Sequence, residues 1–310
     1  MMKRYCLLFL LFSCFLPSLT LRAQEIQYAT FNIRYANGDR HTPRDWKLRR
    51  DSLARFIQTR EISICGMQEV LHEQLVDLCK LLPGYDYVGV GRDDGRKKGE
   101  YSPIFYLRKD WKVLDSGTFW LSPTPDVIGS KGWDAALPRI ATWALLRHHR
   151  TGQQVMAVNT HFDHVGQQAR IESGKLILQK SSQLALDVPL VLTGDFNVGE
   201  ESDVYQSITH QPDFPILDTF HASAPHEGIT YTWHNFARIP VRQCSKIDFI
   251  FASPQVLVLR TFIPAEDRTP DAFLMSDHNP VIATLKFRYP QDVSMNVSQY
   301  HLPPHLTALA

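Results

Sequence analysis

Residues 189–197 read PLVLTGDFN: a proline, an apolar run, then a glycine, an aspartate and an asparagine around one phenylalanine. A run this short, bounded by Pro189 and Gly194, is a buried β-strand, too brief for a helix. Its polar residues, Asp195 and Asn197, fall at its C-terminal end. The same arrangement recurs outward in both directions. IQYATFN (26–32) ends on Asn32, ISICGMQE (62–69) on Glu69 and QVMAVNTH (154–161) on His161, while Asp248 lies in KIDFIFA (246–252). Asp277 and His278 immediately precede the strand NPVIATLKF (279–287). YDYVGV (85–90), SPIFYL (102–107) and ATWALL (141–146) add further strands without terminal acids.

Between these runs lie helical patterns at 43–60, 72–82 and 167–186. In the first, Trp46, Leu48, Leu53, Phe56 and Ile57 recur at near-helical spacing, and Pro43 suits a first turn. Helices alternate with strands early on, and the later part is strand-rich with long loops. This predicts an α/β layered sandwich, two mixed sheets packed face to face with helices outside. No Gly/Ser-rich or Pro-rich linker divides the chain, so a single domain is expected over residues 24–288. Residues 289–310 lose the periodicity and read as a C-terminal tail.

The first 23 residues carry Lys3 and Arg4, an apolar stretch from Cys6 to Leu19 broken by Pro17, and small or polar residues near Ala23. That is a signal-peptide pattern, which predicts an exported protein, periplasmic or secreted, with no transmembrane span in the mature chain. Cys14 is an alternative lipid attachment point. Without residues 1–23 the charge count changes from 33 basic against 32 acidic residues to 30 against 32, a net charge of −2. No basic excess remains to grip long nucleic acid through its phosphates, so no stable nucleic-acid partner is expected. Arg92, Arg96, Lys97 and Lys98 form a local basic run that reads as a solvated loop or an anion patch. Cys65, Cys79 and Cys244 also remain, and an odd number argues against a disulfide framework.

Six polar strand ends together suggest one site. Carboxylate and amide oxygens are hard ligands suited to Mg²⁺, with Mn²⁺ as an alternative. Glu69 is the first candidate ligand, with Asp277, Asn32 and Asp195 completing the shell directly or through water. Hydrolysis of a phosphate ester needs an activated water in line with the leaving oxygen and donors on the other oxygens. The base is either Asp195, or His278 paired with Asp248.

The ordered set FNIR, MQEV, NTHFDH, TGDFN, KIDFIF and SDHNP resembles the endonuclease/exonuclease/phosphatase superfamily from about Ile26 to Phe287. The resemblance implies a four-layered α/β sandwich and a metal-dependent phosphoric ester hydrolase. It implies a metal centre at Asn32, Glu69 and Asp277, a water and phosphate site at Asp195 and Asn197, an Asp248–His278 pair, and a phosphate-side donor at His161. GEYSPIFY, SGTFWLS, GSKGWDAALPRIATWA and NTHFDHVG further resemble the bacterial branch near the nocturnin-like deadenylases. On that likeness Arg139 faces the scissile phosphate, Tyr106 touches it, and His164 sits in a loop near the pocket. His41, His72, His148, His149 and His221 read as structural or exposed.

Three functions follow. The first is an exported phosphodiesterase or phosphomonoesterase acting, as a monomer, on a small-molecule, lipid-derived or nucleic-acid phosphate ester. The second is a secreted nuclease degrading DNA or RNA. The third, from another class, is a catalytically silent binding module on the same scaffold.

Overall fold

A computed structural model of the chain describes residues 24–185, 188–223, 227–265 and 274–287. The expected signal peptide, Cys14 and the C-terminal tail from 289 lie outside the described residues. In chain order the elements are β1 (Ile26–Asn32), α1 (Trp46–Thr59), β2 (Ile64–Gln68), α2 (His72–Leu81), β3 (Tyr85–Val88), β4 (Ile104–Leu107) and β5 (Trp111–Trp120). They continue with β6 (Ile140–His148), β7 (Gln154–His161), α3 (Gln167–Ala185), β8 (Leu190–Asp195), α4 (Asp203–Thr209), β9 (Leu217–Asp218) and α5 (Thr219–Ala222). The last are β10 (Glu227–Gly228), β11 (Asp248–Ala252), β12 (Val256–Ile263) and β13 (Val281–Phe287).

One sheet runs β10-β12-β13-β1-β2-β4-β3 and the other β5-β6-β7-β8-β11-β9. Each is mixed: β1/β2 and β7/β8 are parallel and their outer neighbours antiparallel. Because alternate side chains leave opposite faces of a strand, each sheet has two apolar faces. Tyr28, Ile64 and Ile104 meet Ala144, Val155, Val191 and Ile250 between the sheets. Phe31, Met67 and Phe105 pack outward on α1 and α2, and Val158, Leu192 and Phe251 pack outward on α3 and α4. The result is four layers, helices–sheet–sheet–helices. Among the described residues no helix is long and apolar enough to cross a membrane.

The helix reading needs two corrections. α1 starts at Trp46 with Asp45 as its cap, accepting from Lys47 N at 3.0 Å, so Pro43 lies in the turn before it. Leu48 is 56% exposed, since the buried stripe runs Trp46, Arg49, Leu53, Ala54, Ile57. Arg49 took the place that spacing assigned to a leucine. It donates to the carbonyls of Ile33, Arg34, Arg44 and Met275, tying the end of β1 to the segment that carries Asp277.

Just beneath the site, a polar lock joins the sheets. Asn159 Nδ2 donates to the carbonyls of Met67 (2.7 Å) and Pro103 (3.0 Å), and its Oδ1 accepts from Gln68 Nε2 (2.7 Å) and Thr193 Oγ1 (3.0 Å). A Cβ at Gly66 would collide with the side chains of Asn159 and Thr193, so a glycine is required where the sheets approach there.

Candidate active site

Strand register assembles the site. Asp195, last in β8, lies opposite His161 across the parallel β7 and opposite Asp248 across the antiparallel β11. In the other sheet Asn32, last in β1, lies opposite Gln68, one residue before Glu69. The strands of both sheets therefore deliver their polar ends to one rim. Glu69 (φ 62°) and Asn197 (φ 54°) each follow a strand in the left-handed region, an arrangement that costs about 1–3 kcal/mol and persists only where surroundings hold it. Glu69 is held by Tyr35 N–H donating to Oε2 at 2.9 Å, and Asn197 by its own N–H donating to Asp195 Oδ1 at 2.9 Å.

Three side-chain nitrogens surround Asp195. Asn32 Nδ2 lies 2.9 Å from its Oδ2, His161 Nε2 at 3.6 Å and His278 Nε2 at 3.8 Å. Burial, and then the neighbouring Asp248 carboxylate, push its carboxyl up to about 7. His278 hydrogen-bonds Asp248 Oδ2 through Nδ1 at 2.8 Å. Burial works against its charge, but Asp248, Asp195 and Asp277 outweigh this and raise its imidazole to about 10. His278 thus stands as an imidazolium with its Nε2–H toward Asp195. Thr232 Oγ1 accepts from the N–H groups of Ile247 and Asp248, fixing the start of β11.

A second cluster is made of oxygens. Asn32 Nδ2 also donates to Glu69 Oε1 at 3.1 Å, and Arg34 Nη1 lies 4.0 Å from Glu69 Oε2 and 3.9 Å from Asp277 Oδ2. Burial raises the Asp277 carboxyl; His278 opposes the rise and Glu69 adds to it. Two hard carboxylates that repel each other in a buried rim, served by one guanidinium at the edge of contact range, suit a divalent cation such as Mg²⁺ better than zinc. Asn32 enters this set differently from the ligand role expected of it. Its Oδ1 accepts from Arg34 N–H at 3.0 Å, and its amino group bridges Glu69 and Asp195. Ligand atoms of Asp195, Asp248 and His278 also lie within 4.8 Å of one another, but the 2.8 Å Asp248–His278 bond already satisfies two of them.

On the other flank stands a group that favours anions. Arg139 is buried, with Nη2 3.1 Å from His164 Nδ1 and Nε 3.5 Å from Asp163 Oδ2, and its Nη1 makes no hydrogen bond. Asp163 accepts backbone N–H groups from Ala136, Leu137, Val165 and Gly166, which overcome its burial and hold its carboxyl far below the usual range. Burial, with Arg139 and Arg92 nearby, keeps His161 neutral. Asn197 Nδ2 bonds His161 Nε2 at 3.1 Å and the Phe162 carbonyl at 3.0 Å.

Ten side chains were expected here, and nine converge: Asn32, Glu69, Arg139, His161, Asp195, Asn197, Asp248, Asp277 and His278. Tyr106 does not. It lies opposite Ile64 in the sheet and packs between the sheets with Tyr28 and Trp111. Ile64 is five residues before Glu69, about 15 Å along the strand, at the far end from the site. The basic run is also corrected. Arg92 is a buried partner of Glu100, with Nη1–Oε2 at 2.9 Å and Nη2–Oε1 at 3.1 Å. Glu100 reaches to 3.7 Å from His161 Nδ1. Sequence reasoning gave no role to Glu100, Arg34 and Asp163, although they lie in the quoted runs GEYSPIFY, FNIR and NTHFDH, and it read Arg92 only as part of the basic run. His221 pairs with Glu200 at 3.0 Å, in a cluster with Asp218 whose centre is filled by Lys246 Nζ, 2.7 Å from Glu200 and 2.8 Å from Asp218.

Comparison with known proteins agrees with this fold. The profile described as "Endonuclease/Exonuclease/phosphatase family" matches residues 29–278. A comparison with curated sequences gives no match. Among solved structures, an endonuclease/exonuclease/phosphatase from Bacteroides vulgatus is 49% identical, with TM-score 0.82 over 86% of this chain and 100% of that one. A mannosyl-6-phosphatase from Bacteroides thetaiotaomicron is 37% identical, with TM-score 0.79 over 84% of this chain and 100% of that one. The human nocturnin catalytic domain, at 19% identity, shares the fold with TM-score 0.66 over 85% of this chain and 93% of that one.

Proposed function

The chain belongs to the endonuclease/exonuclease/phosphatase family, and from that premise we propose that it is an exported, divalent-metal-dependent phosphatase of small phosphomonoesters, sugar phosphates first among them. The observation that carries the reading is the Asp195 carboxylate, buried and raised to about 7, with imidazole nitrogens of His161 and His278 at 3.6 and 3.8 Å. A base poised near neutral pH beside a fixed donor, here His278, is what water attack on phosphorus requires.

In this reading Asp195 orients the attacking water and takes its proton. His278, kept protonated by its carboxylate neighbours, donates from Nε2 to a phosphoryl oxygen and so does not compete as base. Arg139 offers its unpartnered Nη1 to the same group. Asn197 holds the His161 ring in place. Glu69 and Asp277 would hold Mg²⁺ or Mn²⁺, which when bound supplies positive charge to the phosphoryl oxygens. The sugar-phosphate preference is supported by the likeness to the mannosyl-6-phosphatase, which covers all of that protein. Export is supported by the pattern of residues 1–23 alone.

The test is hydrolysis by the purified chain with Mg²⁺ or Mn²⁺ of hexose 6-phosphates, phenyl phosphate, a bis-aryl phosphodiester, and single- and double-stranded nucleic acid, with Glu69→Gln as blank. Metal-dependent release of phosphate from the monoesters is expected. Cleavage of nucleic acid without monoester turnover would overturn the reading. N-terminal sequencing of the protein recovered from the cell envelope or medium tests export, and an intact Met1 there refutes cleavage.

A further inference from the structure

The loops on the Arg139 side of the pocket carry a surface that hydrolysis does not use. Ten large apolar side chains of the described residues are exposed, and five of them, Val127, Ile128, Trp133, Leu137 and Val165, belong to the loop before β6 or to the turn before α3. Their exposure runs from 37% at Trp133 to 61% at Val165. Single exposed apolar residues are ordinary, whereas a group of them marks a surface that meets another. Packing brings these five together. Leu137 and Val165 both donate their N–H groups to the Asp163 carboxylate. A Cβ on Gly166 would stand 2.7 Å from the Asp134 carbonyl oxygen, so the segments of Val165 and Trp133 run side by side. Trp133 keeps its indole exposed on a backbone at φ 53°, a left-handed conformation rare for a bulky residue.

Ile128 joins this apolar group to a basic one. Its side chain lies 3.2–3.4 Å from the point where a Cβ on Gly95 would stand, and Gly95 is followed by Arg96, Lys97 and Lys98, the exposed remainder of the basic run. Lys131 is exposed as well, three residues after Ile128. None of these four cations makes an ion pair among the described residues. The acids of the same loops are engaged: Asp93 lies 4.0 Å from Arg92, Asp126 lies 3.8 Å from Lys180, Asp94 accepts from the N–H groups of Arg96 and Lys98, and Asp134 caps α3. A soluble anion would satisfy the cations and leave the apolar side chains bare, and an apolar surface would do the reverse. An anionic bilayer offers both counterparts at once, with headgroup phosphates above and acyl chains beneath, and indoles favour that boundary.

We propose that the lip formed by residues 91–99, 122–137 and Val165 docks the protein on an anionic lipid bilayer. Val127, Ile128, Trp133, Leu137 and Val165 enter the headgroup region, and Arg96, Lys97, Lys98 and Lys131 meet lipid phosphates. The lip borders the pocket, since Glu100 follows one loop and reaches His161, and Leu137 stands two residues before Arg139. Docking therefore sets the mouth of the pocket at the membrane surface. It involves no step of hydrolysis and goes beyond the phosphatase reading.

The experiment measures co-sedimentation with vesicles. Residues 1–23 hold an apolar stretch of their own, so the chain from Gln24 is used; it contains the whole matched span, and a relative whose entire chain aligns with 86% of this one is a solved structure, so this part folds alone. At low salt the partition onto phosphatidylglycerol/phosphatidylethanolamine vesicles should exceed that onto phosphatidylcholine by about 10- to 100-fold, and salt should weaken it. Lys97→Glu with Lys98→Glu should lower it by at least about 25-fold, about fivefold for each positive charge removed. Val127→Asp with Ile128→Asp should lower it about 10- to 100-fold. Leu114→Asp, at an exposed position of β5 outside the lip, should bind as the wild type does. Thermal unfolding confirms that each variant is folded, and all these side chains are exposed. A wild type without preference for the anionic vesicles, or either double variant binding undiminished, overturns the proposal. So does an equal loss in Leu114→Asp. Failure to hydrolyse any phosphate ester would sink the phosphatase reading and leave docking to stand or fall on the vesicles.

Discussion

Replacing Asp248 by asparagine keeps the shape of a fully buried side chain and removes one charge between two catalytic candidates. Asp248 is the leading electrostatic cause of the raised pKa of both His278 and Asp195. In the wild type, activity needs the Asp195 carboxylate and the His278 imidazolium together. Activity is therefore lost as pH falls through the Asp195 value of about 7 and lost again as pH rises through the His278 value of about 10. A hydrogen bond to a charged partner contributes about 1.5–3 kcal/mol. At about 1.4 kcal/mol per pH unit, removing the charge brings the alkaline limb down by about one to two pH units. The acid limb moves the same way, because Asp195 loses a like-charged neighbour. The asparagine amide also competes to donate to Nδ1, which would expel the ring proton needed there, and kcat should fall about 10²- to 10⁴-fold. The assay is kcat/KM against pH at saturating Mg²⁺, alongside an NMR titration of the His278 ring in metal-free protein. An Asp248→Asn profile with both limbs in place, or a His278 ring titrating as in the wild type, would refute the reasoning.

Other perturbations separate the parts of the site. Glu69→Gln should abolish metal-dependent turnover while leaving the metal-free protein as stable as before, since it relieves repulsion with Asp277. The thermal shift that Mg²⁺ gives the wild type should vanish with it, and a preserved shift would place the metal elsewhere. Asp163→Asn leaves four backbone N–H groups and Arg139 around an amide that cannot serve them all, at a cost of about 3–5 kcal/mol read by denaturant unfolding. Because the native carboxyl titrates far below its ordinary value, this contribution is complete above the usual carboxylate range and fades only in strong acid. Lys246→Met strands Glu200 and Asp218 against each other and should lower the melting temperature by about 10 °C. Glu200 is held down at about 2 against its burial by His221 and Lys246, so its share of stability is present above pH 4.5 and lost as pH falls through about 2.

The strands that carry site residues were legible because they are buried on both faces and read as unbroken apolar runs. β5 and β12 were not, since each has only partial cover and carries a run of exposed and half-buried positions with neither an unbroken apolar stretch nor a period of two, as in Trp111–Trp120. Five of the nine converging side chains, Asn32, Glu69, His161, Asp195 and Asn197, follow one physical rule, polar residues at the C-terminal ends of buried strands, while Asp248, Asp277 and His278 stand at the starts of β11 and β13 and Arg139, taken from likeness, immediately precedes β6. Tyr106 escaped that rule: it was taken from likeness alone and sits at the opposite end of its sheet. Glu100 and Arg92 look like loop charges in sequence, and only the fold shows them buried against each other. Asp163 was hidden for another reason. Its partners are main-chain groups, which leave no mark in side-chain chemistry.

That last feature has an evolutionary side. The loop before β6 is moored through Asp163, which takes the N–H groups of Ala136 and Leu137, and through Asp134, which caps α3 by accepting from Gln168 and Ala169. Each mooring pairs one carboxylate with the main chain of the opposite segment, and every non-proline residue supplies the same N–H. The exposed positions 136, 137 and 168 are thus free to exchange their side chains without loosening the loop over the pocket, while Ala169 is fixed by its burial within α3. A lineage keeping only the two aspartates can rewrite the rim of the site while its floor stays in register.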